Sequence, residues 1–252
     1  MARGAERTTF RLDLAYEGTC FRGWARQPGL RTVEGVLEEA LATVLRESVR
    51  LRVAGRTDAG VHALAQVASF ATTRVDVQPA RLRLALNALL PPDVAVSRVT
   101  PAPAGFDARA ARSRTYRYRL WVLPGRPVHE RGYVWDLHGP VDLELLNEAA
   151  AALLGERDFA ALTPSAHLYH HCVREVRAAG WRPADAGPEL VFEITAGSFL
   201  HMMVRVAVGP MVDVAQGRLT LDALRAGLAG GRRAAMGRTA PARGLALVSV
   251  AY

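Results

Sequence analysis

The chain of 252 residues contains no lysine: all 32 basic residues are arginine, set against 24 acidic residues for a net charge of +8. That absence excludes a lysine Schiff base and the lysine of a Walker phosphate loop. Cysteine is scarce as well. Cys20 and Cys172 are too few for a disulfide framework or a four-thiolate zinc site, and both are expected to act as small buried hydrophobes. No run of about eighteen apolar residues occurs, so no transmembrane helix and no membrane partner are expected. Residues 1–7 lack the apolar stretch of a secretory signal, which makes the cytoplasm the expected location. What remains is a composition with 50% hydrophobic and 22% charged residues, enough to bury a substantial core. Arginine offers a planar fork of donors suited to phosphate, so the basic excess favours a polyanionic partner.

The pattern of apolar residues divides the chain into two similar halves. Phe10, Leu12, Leu14 and Tyr16 alternate with polar residues and predict a strand. Thr32 can cap a helix whose apolar stripe is Val33, Val36, Leu37, Ala40, Leu41, Val44 and Leu45. Strands at 51–54 and 66–70 follow, then a helix over 79–90 with Leu82, Leu86 and Leu89 on one side, and a strand at 94–99. A Pro/Ala/Gly linker at 100–105 separates the halves. The second half repeats the order: a strand at 115–122, a helix from Asp142 to Leu154 closed by Gly155, strands at 172–179 and 190–195, and a helix from Ser198. A short helix at 221–228 then precedes a last strand at 245–250. Each half matches a ferredoxin-like β-α-β-β-α-β unit. The expected fold class is α+β, with the two halves joined into one extended, mainly antiparallel sheet, helices on one face and a cleft between the halves. Residues 1–104 form the first half and 105–252 the second.

Four constellations can carry chemistry. Gly55-Arg56-Thr57-Asp58-Ala59-Gly60-Val61-His62 follows an apolar strand, and glycines bracketing a carboxylate give a tight turn that a ligand can approach. A plain Asp-containing turn would read the same way. The stretch 198–209 is apolar nearly all round, so a buried helix is expected, with His201 and Arg205 as its polar side chains at i,i+4. A buried guanidinium is costly without a counter-charge, so Arg205 demands a carboxylate, a phosphate or a structural carbonyl opposite it. Pro210 is expected to kink or weaken that helix. In the segment 112–119, alternation puts Tyr116 and Tyr118 on one strand face and Arg117 and Arg119 on the other. Such a strand can stack an unpaired base and hold its backbone, or bury two core tyrosines beside a solvated arginine face. Lastly, His167, His170, His171 and Cys172 are zinc-type ligands, but their spacing offers no helical i,i+4 pair and no matched carboxylate, so no metal site is expected.

Taken together these residues resemble the TruA family of tRNA pseudouridine synthases. The resemblance runs through Tyr16-Glu17-Gly18, Phe21-Arg22-Gly23-Trp24 and Gln27, Thr32-Val33-Glu34, and the Asp58 motif, which is the most specific of the set. It continues through Leu86-Asn87-Ala88-Leu89-Leu90-Pro91, Phe106-Asp107-Ala108-Arg109, Tyr116-Arg117-Tyr118, Gly155 with Asp158-Phe159, and Val173-Arg174. His201-Met202-Met203-Val204-Arg205 and the closing Ala240-Pro241-Ala242 with Gly244-Leu245 complete it. It implies the pseudouridine synthase fold, with Asp58 the catalytic carboxylate, Tyr116 stacking on the target uracil and Arg205 paired with Asp58. Arg56 is implied to contact RNA phosphate or to help hold the extruded nucleotide. The implied substrate is tRNA, at uridines 38, 39 and 40 of the anticodon stem-loop, and the implied assembly is a homodimer.

The implied reaction is an isomerisation of uridine to pseudouridine, which needs no redox cofactor, metal or nucleotide. Asp58 could attack ribose C1′ or uracil C6, or act as a base at C2′; the residues leave these open. Two other classes compete. One is a silent RNA-binding module on the same duplicated fold, keeping the arginines without needing Asp58. The other is a metal enzyme centred on the His167–Cys172 cluster.

Overall fold

Alternating apolar residues build β1 (Thr8–Tyr16), where Phe10, Leu12, Leu14 and Tyr16 are all buried. The computed structural model describes residues 7–74, 76–185 and 187–252. Its strands and helices fall into two compact units. One comprises the described residues up to Arg112 together with Leu247–Tyr252, and the other is Ser113–Ala246.

In the first unit, β1 is followed by α1 (Val33–Leu45), β2 (Arg52–Val53), β3 (His62–Thr72), α2 (Pro79–Leu89) and β4 (Val94–Ala102). β1 pairs antiparallel with both β3 and β4, and β2 pairs with β3, so the order is β4-β1-β3-β2, as in a ferredoxin-like unit. Phe10 and Phe70 face each other across β1 and β3 and stack at 5.6 Å, a cross-strand pair of the kind that fixes register. Helix α1 begins where Thr32 accepts a hydrogen bond from the Gly35 N–H, and it buries Val33, Leu37, Ala40, Leu41 and Leu45. Helix α2 differs from expectation in one residue: Leu82 and Leu86 are buried, whereas Leu89, in the last turn, is exposed. Strand β4 runs on through Pro101 into the expected linker. It ends the strand order, and at an edge a proline's missing N–H breaks no inner ladder bond.

Residues 105–112, assigned to the second half by the sequence pattern, group with the first unit. The Ala108 N–H donates to Ser69 Oγ of β3, the Tyr252 hydroxyl donates to the Ala108 carbonyl, and the Arg112 N–H donates to the Ala251 carbonyl. These bonds tie the segment and the C-terminus together.

The second unit contains β5 (Ser113–Trp121), β6 (Trp135–Asp136), α3 (Leu143–Ala151), β7 (Gly155–Asp158), β8 (Val173–Pro183), β9 (Glu189–Ala196), α4 (Met203–Ala215) and α5 (Leu221–Ala229). Its strand order β5-β9-β8-β7 is antiparallel, with β6 parallel to β5. A last strand, β10 (Leu245–Ala251), starts in this unit and belongs to the first from Leu247 onward. Asp142 caps α3, accepting from the N–H groups of Glu144 and Leu145, but the helix stops a turn before Leu154. Helix α4 begins at Met203 rather than Ser198, because Met202 adopts a left-handed conformation (φ 60°) that no α-helix can pass through. It then continues through Pro210 to Ala215. No helix among the described residues is long and apolar enough to cross a membrane.

The α1 cap is buried, with Thr32 only 1% exposed. Thr32→Ala is expected to lower the unfolding free energy by about 1 kcal/mol, and Thr32→Ser by much less, in urea titrations.

Candidate active site

Between β2 and β3 the chain makes the loop 54–61 that carries Asp58. The loop is stitched at both ends and in the middle. Its Ala54 N–H donates to Val67 of β3, and the Val61 N–H turns back onto the Asp58 carbonyl at 3.2 Å, with Gly60 left-handed at φ 78°. The segment after β1 lies against it: the Trp24 N–H donates to the Thr57 carbonyl at 3.0 Å, and the Gly60 N–H donates to the Phe21 carbonyl at 3.3 Å. The approach is so close that two positions must be glycine. A Cβ on Gly18 would sit 2.0 Å from the Val61 oxygen, and one on Gly23, left-handed at φ 93°, would sit 2.9 Å from the Thr57 oxygen. The Gly18 N–H donates to Nδ1 of buried His62, which closes the far end.

Underneath, a buried polar chain holds the same loop. The Tyr16 hydroxyl and Thr57 Oγ1 are 2.7 Å apart, and Gln66 Nε2 donates both to Tyr16 Oη at 3.2 Å and to the Gly55 carbonyl at 2.8 Å. Each of these polar groups is buried and partnered, which turns a desolvation cost into rigidity. Burial pushes the Tyr16 phenol up to about 12, against the pull of its hydrogen bonds from Thr57 and Gln66. Thr57 therefore faces inward, Asp58 is half-buried, and Arg56 is exposed. Tyr16, Thr57 and Gln66 were not singled out by the sequence pattern for this role. A glutamine opening an apolar strand run was the available signal.

In the second unit, β5 buries Tyr116 and Tyr118 on one face, as alternation predicts. The Tyr116 ring meets Phe199 edge-on at 5.0 Å. Tyr118 is core: its hydroxyl donates to the Pro241 carbonyl at 2.7 Å, Gly244 lies against its ring, and burial raises its phenol far above the usual range. Arg117 and Arg119 do not present a row for RNA backbone. Arg117 pairs with Glu193 at 2.6 Å and Arg119 with Glu189 through two bonds of 2.6 Å, both across to β9.

Arg205 sits in the first turn of α4 and is half-buried. Its Nε donates to the Ala240 carbonyl at 3.0 Å, while its own carbonyl accepts the Ala240 N–H at 3.0 Å. One turn further on, a Cβ at Gly209 would lie 1.9 Å from the Arg238 oxygen, so residues 238–240 press flat on the helix. The closing motif thus clips both Arg205 and Tyr118. His201 does not share the Arg205 face as expected, because the left-handed Met202 places it in an exposed turn before the helix. There its Nδ1 lies 2.9 Å from Ser165 Oγ, and its N–H donates to Tyr169 Oη.

Among the described residues no group of three His, Cys, Asp or Glu is placed to hold a metal. His170 and His171 stand edge-to-face at 6.2 Å, and Cys172 is buried, its thiol raised by burial. Cys20 is exposed, contrary to expectation, since it lies in the turn 19–22 after β1.

A family model described as tRNA pseudouridine synthase matches residues 14–109 and 149–252. The chain belongs to that family. The tRNA pseudouridine synthase A of Geotalea daltonii is 40% identical over 243 residues, covering 96% of this chain and 98% of that protein. The tRNA pseudouridine synthase A of Solidesulfovibrio magneticus is 44% identical over 253 residues, covering 96% and 90%. Among solved structures, one from a Cbf5-Nop10-Gar1 complex aligns with a TM-score of 0.37 at 11% identity, over 95% of this chain and 58% of that one. As a tRNA pseudouridine synthase family member the protein is an isomerase, and the matched segments contain Asp58, Arg56 and Arg205. Tyr116 lies between them.

Folded Tyr16 keeps its proton to about pH 12, whereas an unfolded tyrosine loses it near 10. Below pH 10 both states are neutral and the contribution is fully present. As pH rises from 10 to 12 only the unfolded state gains by ionising, so stability is lost across that window, by about 2 to 3 kcal/mol. Tyr118 adds a loss of the same sign, and no lysine titrates there to obscure it. Urea titrations from pH 9 to 12 should show a shallower alkaline decline in Tyr16→Phe than in the wild type.

Proposed function

We propose that the protein isomerises uridine to pseudouridine at positions 38, 39 and 40 in the anticodon stem-loop of tRNA, with Asp58 as the catalytic carboxylate. The observation that carries the reading is the build of the Asp58 loop. A half-buried carboxylate is held on a backbone fixed by glycine-tight contacts and a buried hydrogen-bond chain, in a chain whose family is the tRNA pseudouridine synthases. Catalysis by a positioned group depends on that kind of preorganisation.

In this reading the target uridine leaves the stack, as bases do in other enzymes that act on them. Tyr116 stacks on the uracil, and Arg205 pairs with Asp58 and favours its ionised form. Arg56 holds phosphate beside the extruded nucleotide. The N1–C1′ bond breaks, the base turns, and C5 bonds to C1′; C5 then loses its proton and N1 takes one up from solvent, so the atoms of the nucleotide are conserved. A carboxylate serves at C1′, at C6 or at C2′, and each role needs it charged and aimed. For Arg205, support comes from the double clip to Ala240, which fixes where its guanidinium starts. Recognition of several adjacent uridines calls for reading shape and backbone rather than bases. The same reading makes the enzyme a cytoplasmic homodimer.

Tritium release from tRNA labelled at uracil C5 tests the proposal. Wild-type protein should release tritium equally with and without chelator. Asp58→Ala should release none while binding tRNA as tightly. No release by the wild type would leave a silent RNA-binding module, and loss on chelation would leave a metal enzyme.

The pairing has its own test. Arg205→Leu is expected to abolish turnover and to destabilise the fold by about 1 to 2 kcal/mol, less than a fully buried pair because both groups are half-buried. In Asp58→Asn the same change should cost less, and equal costs in both backgrounds would refute the pair.

A further inference from the structure

The first unit contains a cavity of about 290 Å³ beside the Asp58 loop, lined by Arg52, Arg56 and Arg109 with Glu34 at one side. Arg56 brings it within two residues of Asp58. The other two arginines are braced by one carboxylate. Asp107 Oδ2 takes Arg52 Nη1 at 2.7 Å and Arg109 Nη2 at 2.7 Å, and Asp107 Oδ1 accepts the Arg109 N–H at 2.9 Å. Arg109, and then Arg52, hold the Asp107 carboxyl far below the usual range, so the brace stays charged. Its own footing is firm: Asp107 caps the turn Ala108–Ala110, and the Ala108 N–H is anchored on Ser69 of β3. Glu34 is engaged elsewhere, its Oε2 accepting the Arg26 N–H at 2.7 Å.

Three arginines therefore line one cavity together with Glu34, and Asp107 bonds two of them. A solvated arginine face needs no such brace. Long side chains lose much rotamer freedom when held, and an exposed ion pair gives little in return. Holding them beforehand does help a ligand that needs several donors at fixed positions. The ligand that matches planar donor forks in a small basic cavity is a phosphate group.

We propose that this cavity binds one backbone phosphodiester of the RNA substrate, next to the nucleotide that enters the Asp58 loop, with Arg52 and Arg109 preset by Asp107. The proposal rests on the RNA-modifying reading and names a contact within it. It assigns Asp107 an unusual part: an acidic residue that strengthens binding to a polyanion.

The test is equilibrium binding of the full-length protein to an in vitro tRNA transcript with uridine at 38–40, over a range of salt concentrations, alongside tritium release. Arg52→Gln should weaken binding several-fold and lower the slope of log K against log salt by about 1. Arg225→Gln, at a residue of α5 that does not line the cavity, should leave the slope unchanged. Asp107→Asn keeps the turn cap and makes the protein more basic, yet it should bind more weakly than wild type. Tighter binding by Asp107→Asn, an unchanged slope in Arg52→Gln, or an equal fall in Arg225→Gln would each overturn the site in favour of a diffuse basic surface. If wild type and variants follow the expected binding pattern but wild type releases no tritium, the isomerase reading falls and the phosphate site stands. If wild type is active and the variants bind as it does, the reverse holds.

Discussion

The loop 54–61 keeps its shape because the chain before it is forced into contact with its backbone. Gly18 and Gly23 approach so closely that no side chain fits, and the hydroxyl of Tyr16 reaches Thr57 from below. A loop on the surface would otherwise sample many conformations, and a carboxylate on it would sample them too. Here the chain is held on both sides of Asp58, at Thr57 and at Gly60. Thr57 is bonded through its carbonyl to Trp24 and through its side chain to Tyr16, while the turn after it closes on Phe21. Buried polar chains of this kind are unforgiving, since removing one member leaves the others desolvated and unpaired. The rigidity of the loop and the burial of Tyr16 are the same fact.

The second unit uses a similar device from the opposite end of the chain. Residues 238–241 run along α4, where Gly209 admits them, and hold Arg205 by its backbone and its side chain. The same segment receives the Tyr118 hydroxyl, so β5 and α4 are keyed to one stretch of closing chain. Ahead of it, Met202 is held at φ 60°, a conformation that costs a non-glycine residue about 1 kcal/mol or more. That strain ends the preceding turn and starts the helix two residues before Arg205. Early and late segments of the sequence thus serve as supports for residues in its middle.

How far this was legible depends on whether a local pattern carries the information. Strand β1 and helix α1 were readable because alternation, a threonine cap and a 3.6-residue stripe are written in adjacent residues. The start of α4 was not. Phe199, Leu200 and Met202 satisfy helical periodicity, and nothing in a methionine announces a left-handed backbone as a glycine would. Strand β7 was invisible because Gly-Glu-Arg-Asp is exposed throughout and has no apolar face. At the site, the Asp58 motif marked the loop, but its supports are distant. Tyr16 looked like one more core residue of an alternating strand, and its link to Thr57 spans 41 positions.

The arginines make the same point about charge. A lysine-free chain with 32 arginines invites the view that its basic face is its RNA face. Yet Arg117 and Arg119 are tied across the sheet to Glu193 and Glu189, Arg31 is held by both oxygens of Asp93 over the Phe21 ring, and Arg218 and Arg238 share Asp213. A guanidinium with five donors can brace protein as readily as it binds phosphate, and alternation cannot tell the two apart. What separates them is where the carboxylates fall. Glu193 of β9 stands directly across from Arg117, Glu189 reaches Arg119 from two residues along the strand, and each occupies its arginine. Asp107 holds two arginines that line a cavity and whose side chains stay 56% and 64% exposed, against 39% and 35% for Arg117 and Arg119. Net charge sets the long-range attraction to a polyanion, but the placement of the 24 acidic residues decides which arginines remain to meet it.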